Sequence, residues 1–398
     1  MAAIINNLTD TQGYFLEILS DFVKGEKTQP KAQADWMEIL YLAKIHGLTG
    51  IVFYQCRSFI DKSLVSGFGF EYARAVNAYN SRKQCLKNIN ELFTAHQIPF
   101  CLVKGPIVAE YYPLPAMRTM CDMDILVHPD DFSKARELLE QNGEMKAILS
   151  NAEIAFSIFS AKIELHHHLL YGQKSSTEQD IAFCDKVWDY SHQTDDSTLY
   201  SLDDSFQFIF LLLHMRKHII ESGVGFRQFV DLMVMTQHAQ LDWTWIRQQT
   251  DKLGLTRFMG FCLTLCGIWF ETSVPESIDL DQCIVEQFTL KIFRNGVDGF
   301  ADESNRDNKR RHLRNIQSPA IFFLERMFPS YNSLRFRPDF RFLDCRPWLL
   351  PFAWLYRFWL NIFRKKTSFS EAVNKVVVKK DLNYTELMKQ MGIYDDKW

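Results

Sequence analysis

Asp122 and Asp124, separated by a single methionine, follow a Lys104-Gly105 turn within residues 101–128, CLVKGPIVAEYYPLPAMRTMCDMDILVH. Strand side chains alternate between faces, so the two aspartates are expected on one face while Met123 and Ile125 point into a core. Carboxylates held that close repel each other unless a divalent cation lies between them, and oxygen ligands of this kind suit Mg²⁺. A glycine turn that enters a helix offers backbone N–H groups to phosphate. Together these features point to metal-assisted chemistry on a nucleotide. The plainer alternative is a strand end whose carboxylates are simply solvated.

Hydrophobic spacing indicates which elements must position this pair. Residues 9–95 read as helices: Phe15, Ile18, Leu19 and Phe22 recur at helical intervals, as do Trp36, Ile39, Leu40 and Ala43, and a long pattern runs from about 71 to 96. Phe100 to Val103 reads as a strand, Pro106 suits the first turn of a short helix, and Pro113 and Pro115 end it. After the Asp-x-Asp strand, Asp130 or Asp131 is placed to cap a helix through Leu139, with Gly143 as its stop. Runs at 145–149, 155–159 and 162–166 read as strands; the chain is then helical from 203 to about 270 and from 281 to about 293. The expected class is α+β. Its units are a helical region at 1–96, a small mixed-sheet core at 97–200, a second helical region at 201–300 and a basic, aromatic segment at 301–398, in which 302–314 forms a charged connector.

A net charge of −3 argues against a protein that coats nucleic acid along its whole surface. Nine cysteines without a Cys-x-x-Cys pair suit free thiols in a reducing compartment. The start, MAAIINNLTDTQG, lacks the basic and apolar regions of a signal peptide. The most apolar stretch, 347–363, contains Pro351 and Arg357 and falls short of the roughly 20 residues of a spanning helix. A cytoplasmic protein without a transmembrane span is therefore expected. Residues 335–366 interleave arginines and lysines with Trp348, Trp354, Phe358 and Trp359, which suits either contact with an anionic surface or acceptor, or an aromatic packing segment with a basic rim.

The pattern Val103-Lys104-Gly105, Tyr112-Pro113, Arg118, Asp122-Met123-Asp124, then Glu164-Leu165-His166 and a His/Lys/Gly/Arg/Asp block from His214 to Asp231, resembles the bacterial nucleotidyltransferase family usually labelled uncharacterised. The resemblance covers most of the chain. It implies a nucleotidyltransferase-like sheet core embedded between the helical regions, an NTP as substrate, Mg²⁺ or Mn²⁺ as cofactor, and catalytic, metal-holding carboxylates at Asp122, Asp124 and Glu164. Gly105 would lie in the nucleotide-binding turn, Lys104 would hold the triphosphate as a point charge, and Arg118 would grip it through a two-pronged fork. Two positions depart from the pattern: Pro106 removes a backbone donor after Gly105, and Cys121 stands where the family usually has glycine.

Glu164 shares a strand face with Lys162 and His166 by alternation, and its role would be metal ligand or base; an exposed strand glutamate is the alternative. Adjacent strand residues face opposite ways, so His166, His167 and His168 do not form one zinc site, and His166 beside Glu164 is the functional candidate. His214, Lys217, His218 and Glu221 fall at i, i+3, i+4 and i+7 of a helix, and Arg227 and Asp231 follow a glycine turn. This stripe lines a cleft for nucleotide or acceptor, or else faces water. The leading expectation is an enzyme that moves a nucleoside monophosphate from an NTP to an acceptor hydroxyl of unknown identity. The second is a degenerate relative that binds nucleotide or protein without turnover.

Overall fold

The computed structural model describes residues 7–150, 152–170, 175–194, 198–221, 223–296, 328, 331, 342–343, 346–356 and 387–393, with the side chain of Glu221 outside that set. The charged connector at 302–314 and most of the basic, aromatic patch at 335–366 also lie outside it.

Helices open the chain. α1 (Asp10–Lys24) starts at Thr9, whose side chain accepts from the Gln12 backbone while Gln12 reaches back, and it ends at Gly25 in the left-handed conformation. α2 (Trp36–Ile45) is capped by Asp35, and α3 (Thr49–Cys56) follows directly. α4 (Val65–Ala95) begins a turn and a half earlier than its apolar pattern indicated. Later in the chain come α8 (Asp204–Glu221), α9 (Phe226–His238), α10 (Trp243–Lys252), α11 (Thr256–Phe270) and α12 (Gln282–Asn295). The two helical regions, far apart in sequence, share one apolar core, in which Phe15 meets Phe226 and Phe293. The Ser20 hydroxyl donates to the Phe270 carbonyl at 2.8 Å.

Between these regions lies a sheet ordered β3-β4-β5-β2-β1-β7-β6. Its strands are β1 (Phe100–Val103), β2 (Met123–Val127), β3 (Gly143–Ser150), β4 (Glu153–Ile158), β5 (Ala161–His166), β6 (Ser191–Gln193) and β7 (Leu199–Leu202). β2 runs antiparallel to β1 and parallel to β5, and β1 runs parallel to β7. The α+β class is thus observed. The sheet extends past the runs read from sequence because β6 and β7, three and four residues long, carry no alternating apolar pattern of their own. Short helices α5 (Gly105–Ala109), α6 (Phe132–Asn142) and α7 (Glu178–Cys184) link the strands. Asp131 stands at the N-cap of α6, but its side chain makes no cap hydrogen bond there.

Alternation divides the sheet cleanly. Met123, Ile125 and Val127 of β2, Ile163 and Leu165 of β5, and Ile154, Phe156 and Ile158 of β4 pack with Cys85, Ile89 and Phe93 of α4 and Leu139 of α6 in a second core. The opposite face carries Asp124, Glu164 and His166 and turns toward α8 and α9. One face holds the sheet together and the other presents charge. Among the described residues, no helix is long and apolar enough to cross a membrane.

Ile163 is fully buried and pairs with Met123 on one side and Phe156 on the other. Ile163→Ala is expected to cost about 2–5 kcal/mol of unfolding free energy in a denaturant titration, since the cavity left between strands cannot collapse. A loss no larger than that of a surface substitution would show this face to be loosely packed.

Candidate active site

The parallel register of β2 and β5 sets Asp124 directly beside Glu164, and antiparallel pairing of β4 with β5 sets Glu153 beside His166. Asp122 lies immediately before β2 and lines the same cavity as Glu164. These four carboxylates open into a cavity of about 440 Å³ between the sheet and the helices. All the site residues expected from sequence line it. Asp122, Asp124 and Glu164 form the floor with His166, Lys104, Gly105 and Arg118 lie at its edge, and His214, Lys217, His218, Arg227 and Asp231 come from α8 and α9. His214, Lys217 and His218 of the α8 stripe therefore face the cavity rather than bulk water, and the Glu221 side chain lies outside the described set. Glu153 was missed, although the alternation of Glu153, Ala155 and Ser157 against Ile154, Phe156 and Ile158 places it on the face of Glu164.

Lys104 ends β1 with φ +58° and ψ −114°, a backbone conformation that side-chain-bearing residues seldom adopt. Its N–H donates to Gln207 Oε1 at 3.1 Å, which ties the turn to α8. The Lys104 ammonium donates to Asp124 Oδ1 at 2.7 Å, and the His166 Nε2 atom lies 3.1 Å from the same oxygen. Burial works against the Lys104 charge, but Asp124, with Glu164 and Glu153 beyond it, outweighs burial and holds the pKa above its ordinary value. Burial likewise opposes ionisation of Asp124; Lys104 and the His166 hydrogen bond reverse that and hold it below the usual carboxylate range.

The neighbouring acids lack such compensation. Burial, then the charges of Asp122 and Asp124, push Glu164 up to about 9, and burial with Asp124 raises Asp122. Asp124, Glu164 and His166 each offer a ligand atom, and these atoms lie within 4.8 Å of one another. Carboxylates crowded enough to retain a proton, with an imidazole nitrogen beside them, fit a divalent cation. The cluster differs from the expected set of Asp122, Asp124 and Glu164: Asp122 lines the same cavity but is not among its three residues, and His166, which sequence analysis placed only in the cleft, is.

Arg118 is arranged differently from the expectation of a phosphate fork. Its Nε and Nη2 donate to the two carboxylate oxygens of Asp231, each at 2.8 Å, with both residues buried. The Tyr112 hydroxyl donates to Asp231 Oδ1 at 2.7 Å. The planar fork is therefore matched to a carboxylate inside the protein, and it joins the loop before β2 to α9. A Cβ on Gly105 would sit 2.9 Å from Arg118 Nη1, and the pinned guanidinium has no room to yield. Glycine is required there by this close approach. α5, only five residues long, presents a weak dipole to any phosphate.

A family model described as uncharacterised nucleotidyltransferase matches residues 32–271, more than half of the 398, and the chain belongs to that family. No curated protein and no solved structure matches the chain.

Two outcomes follow. Arg118→Met leaves Asp231 buried without its counter-charge and is expected to cost about 3–5 kcal/mol in denaturant unfolding. Glu164, raised from 4.5 to about 9, binds a proton in the folded but not the unfolded chain across that interval, so metal-free stability falls as pH rises through it. Melting temperatures taken in chelator should decline with pH less steeply for Glu164→Gln than for the native chain; parallel declines would remove Glu164 as the cause.

Proposed function

We propose that this chain is a metal-dependent nucleotidyltransferase that moves a nucleoside monophosphate from an NTP to an acceptor hydroxyl and releases pyrophosphate. The observation that carries this reading is the convergence of Asp124, Glu164 and His166 on one cavity, with Asp122 in the same lining. Asp122, Asp124, Glu164 and His166 would hold Mg²⁺ or Mn²⁺. Bound there, the cation would supply charge neutralisation for the phosphates and polarise the α-phosphorus.

The chain's own groups divide the remaining work. In the transfer, the acceptor oxygen bonds to the α-phosphorus as the bond to the bridging oxygen of the β-phosphate breaks, and pyrophosphate carries that electron pair away. The acceptor's proton must go to a base. Glu164 would take this role if Asp122, Asp124 and His166 alone held the cation, since it lines the same cavity beside them. Lys104, buried beside Asp124, keeps a positive charge where phosphate oxygens would arrive. The cavity walls from α8 and α9 would enclose the acceptor.

The Lys104–Asp124 ion pair also supports a second reading. A lysine ammonium on a ligand oxygen can replace a cation permanently, which would leave a protein that binds nucleotide without turnover. Incubation with each α-labelled NTP, Mg²⁺ or Mn²⁺ and a cell extract separates the two. Transfer of label to an acceptor, reduced about 100-fold or more by Asp124→Asn, is expected of the enzyme. Nucleotide binding that is indifferent to divalent cation, without label transfer, would establish the binding protein instead.

A further inference from the structure

Another surface lies beyond the residues 32–271 matched by the family, and none of its residues lines the cavity. Arg346 leads into a 3-10 turn at Pro347–Leu349, which residues 350–356 continue as α-helix. At about 100° per residue, positions 349, 350, 353 and 354 fall on one side of this helix and 348, 352 and 355 on the other. The first side is packed. Ala353 is fully buried with Leu343, and Leu349, Leu350, Trp354 and Tyr331 close around them. The Tyr331 hydroxyl donates to the Leu343 carbonyl at 3.0 Å, and Phe328 meets Trp354 edge-on with ring centres 5.1 Å apart.

The second side is apolar as well, yet it is open. Trp348, Phe352 and Leu355 are 69%, 61% and 69% exposed, with Tyr356 beside them at 38%. Single exposed apolar residues are ordinary, but three on one helical face at i, i+4 and i+7 form a patch of the kind that marks a contact surface. The charge around it says which contact. Between 335 and 366 the sequence carries eight arginines and lysines against two aspartates, in a chain whose net charge is −3. A second copy of the chain would bring this same positive charge against itself. A nucleic-acid base would stack on Trp348, but Leu355 offers it no ring. An anionic bilayer answers both features. Its headgroups attract arginine and lysine, the layer beneath accepts phenylalanine and leucine, and tryptophan and tyrosine favour the boundary between them.

We infer that the face of Trp348, Phe352 and Leu355 is an interfacial anchor that lays this helix onto an anionic membrane surface. The helix would lie on the bilayer and not cross it: residues 347–356 rise about 15 Å, half of a hydrocarbon core about 30 Å thick. Arg346, exposed at its start, falls where headgroup phosphates would meet it. The packed side holds the helix to its own small core, so the open side is free to enter the interface without unfolding anything. The inference shares no residue with the cavity and does not depend on the reaction proposed there.

Co-sedimentation of the full chain with lipid vesicles tests the anchor, using phosphatidylglycerol and phosphatidylcholine in equal parts, or phosphatidylcholine alone. The native protein should bind the anionic vesicles at least about tenfold more tightly than the neutral ones, and Trp348→Ser/Phe352→Ser/Leu355→Ser should lose at least about tenfold on the anionic ones. Because these side chains are exposed, the triple variant should keep the native melting temperature. Insertion is read with anionic vesicles whose phosphatidylcholine is brominated in its acyl chains, since bromine quenches indole rings that reach the hydrocarbon. The native tryptophan emission should fall; Trp348→Phe, which keeps the apolar face, should bind nearly as well and be quenched less. Absence of binding to anionic vesicles, or equal binding by the triple variant, overturns the inference. Self-association or oligonucleotide binding abolished by the same three substitutions, in place of vesicle binding, would give the face to a second copy or to nucleic acid and overturns it too.

Discussion

Compensation of buried negative charge governs this structure. Strand register brings Asp124, Glu153 and Glu164 together with Asp122 at the end of β2, and a partly enclosed cavity does not readily hold that many ionised carboxylates unaided. The fold answers with three devices. Lys104 neutralises Asp124 directly, His166 donates to it, and Glu164 retains a proton. The first is fixed by the backbone: Lys104 is held in an unfavourable conformation by Gln207 on one side and the start of α5 on the other, so the strained turn and the ion pair support each other.

The second organising contact is the Arg118–Asp231 pair. It links the loop that leads into β2 with α9, and so fixes the distance between the acidic floor and the basic wall. Charged pairs of this kind add modest net stability compared with apolar packing, but they are unforgiving of misalignment, because either partner left alone is a buried charge. Tyr112, held neutral by burial and by Asp231, completes the connection. The cavity owes its width to this clamp as much as to the apolar cores on either side.

Much of this was legible in the sequence. β1, the Asp-x-Asp strand, the strands read at 155–159 and 162–166, and the helical character from 203 to about 270 follow from period-two and period-3.6 patterns, which are local properties, whereas the start of β4 at Glu153 and the division of that stretch into four helices do not. That Asp122, Asp124 and Glu164 would meet was implied by family resemblance, and the β2–β5 register gives the physical reason. Non-local facts were out of reach. Nothing local in Arg118 distinguishes a fork aimed at phosphate from one aimed at a carboxylate over a hundred residues later. Glu153 was masked by its position at the first residue of a strand, and β7 is too short to announce a parallel partner. The residue types were readable, but their pairings depend on the tertiary fold.

The joint core of the two helical regions bears on how the chain is made. α1 packs against α11, and its Ser20 is bonded to Phe270, so some two hundred and fifty residues are synthesised between this helix and that partner. Until then the apolar stripe of Phe15, Ile18, Leu19 and Phe22 has only nearer elements such as α2 and α3 to cover it. Contacts of such long sequence separation fold slowly and leave aggregation-prone surface open in the meantime. The sheet, whose strands lie between Phe100 and Leu202, can assemble in that interval and offer α4 a surface to dock on. Synthesis would thus favour an order in which the acidic strands form first and the helices close over them afterwards, so that the charged cavity is roofed only when α8 and α9 arrive.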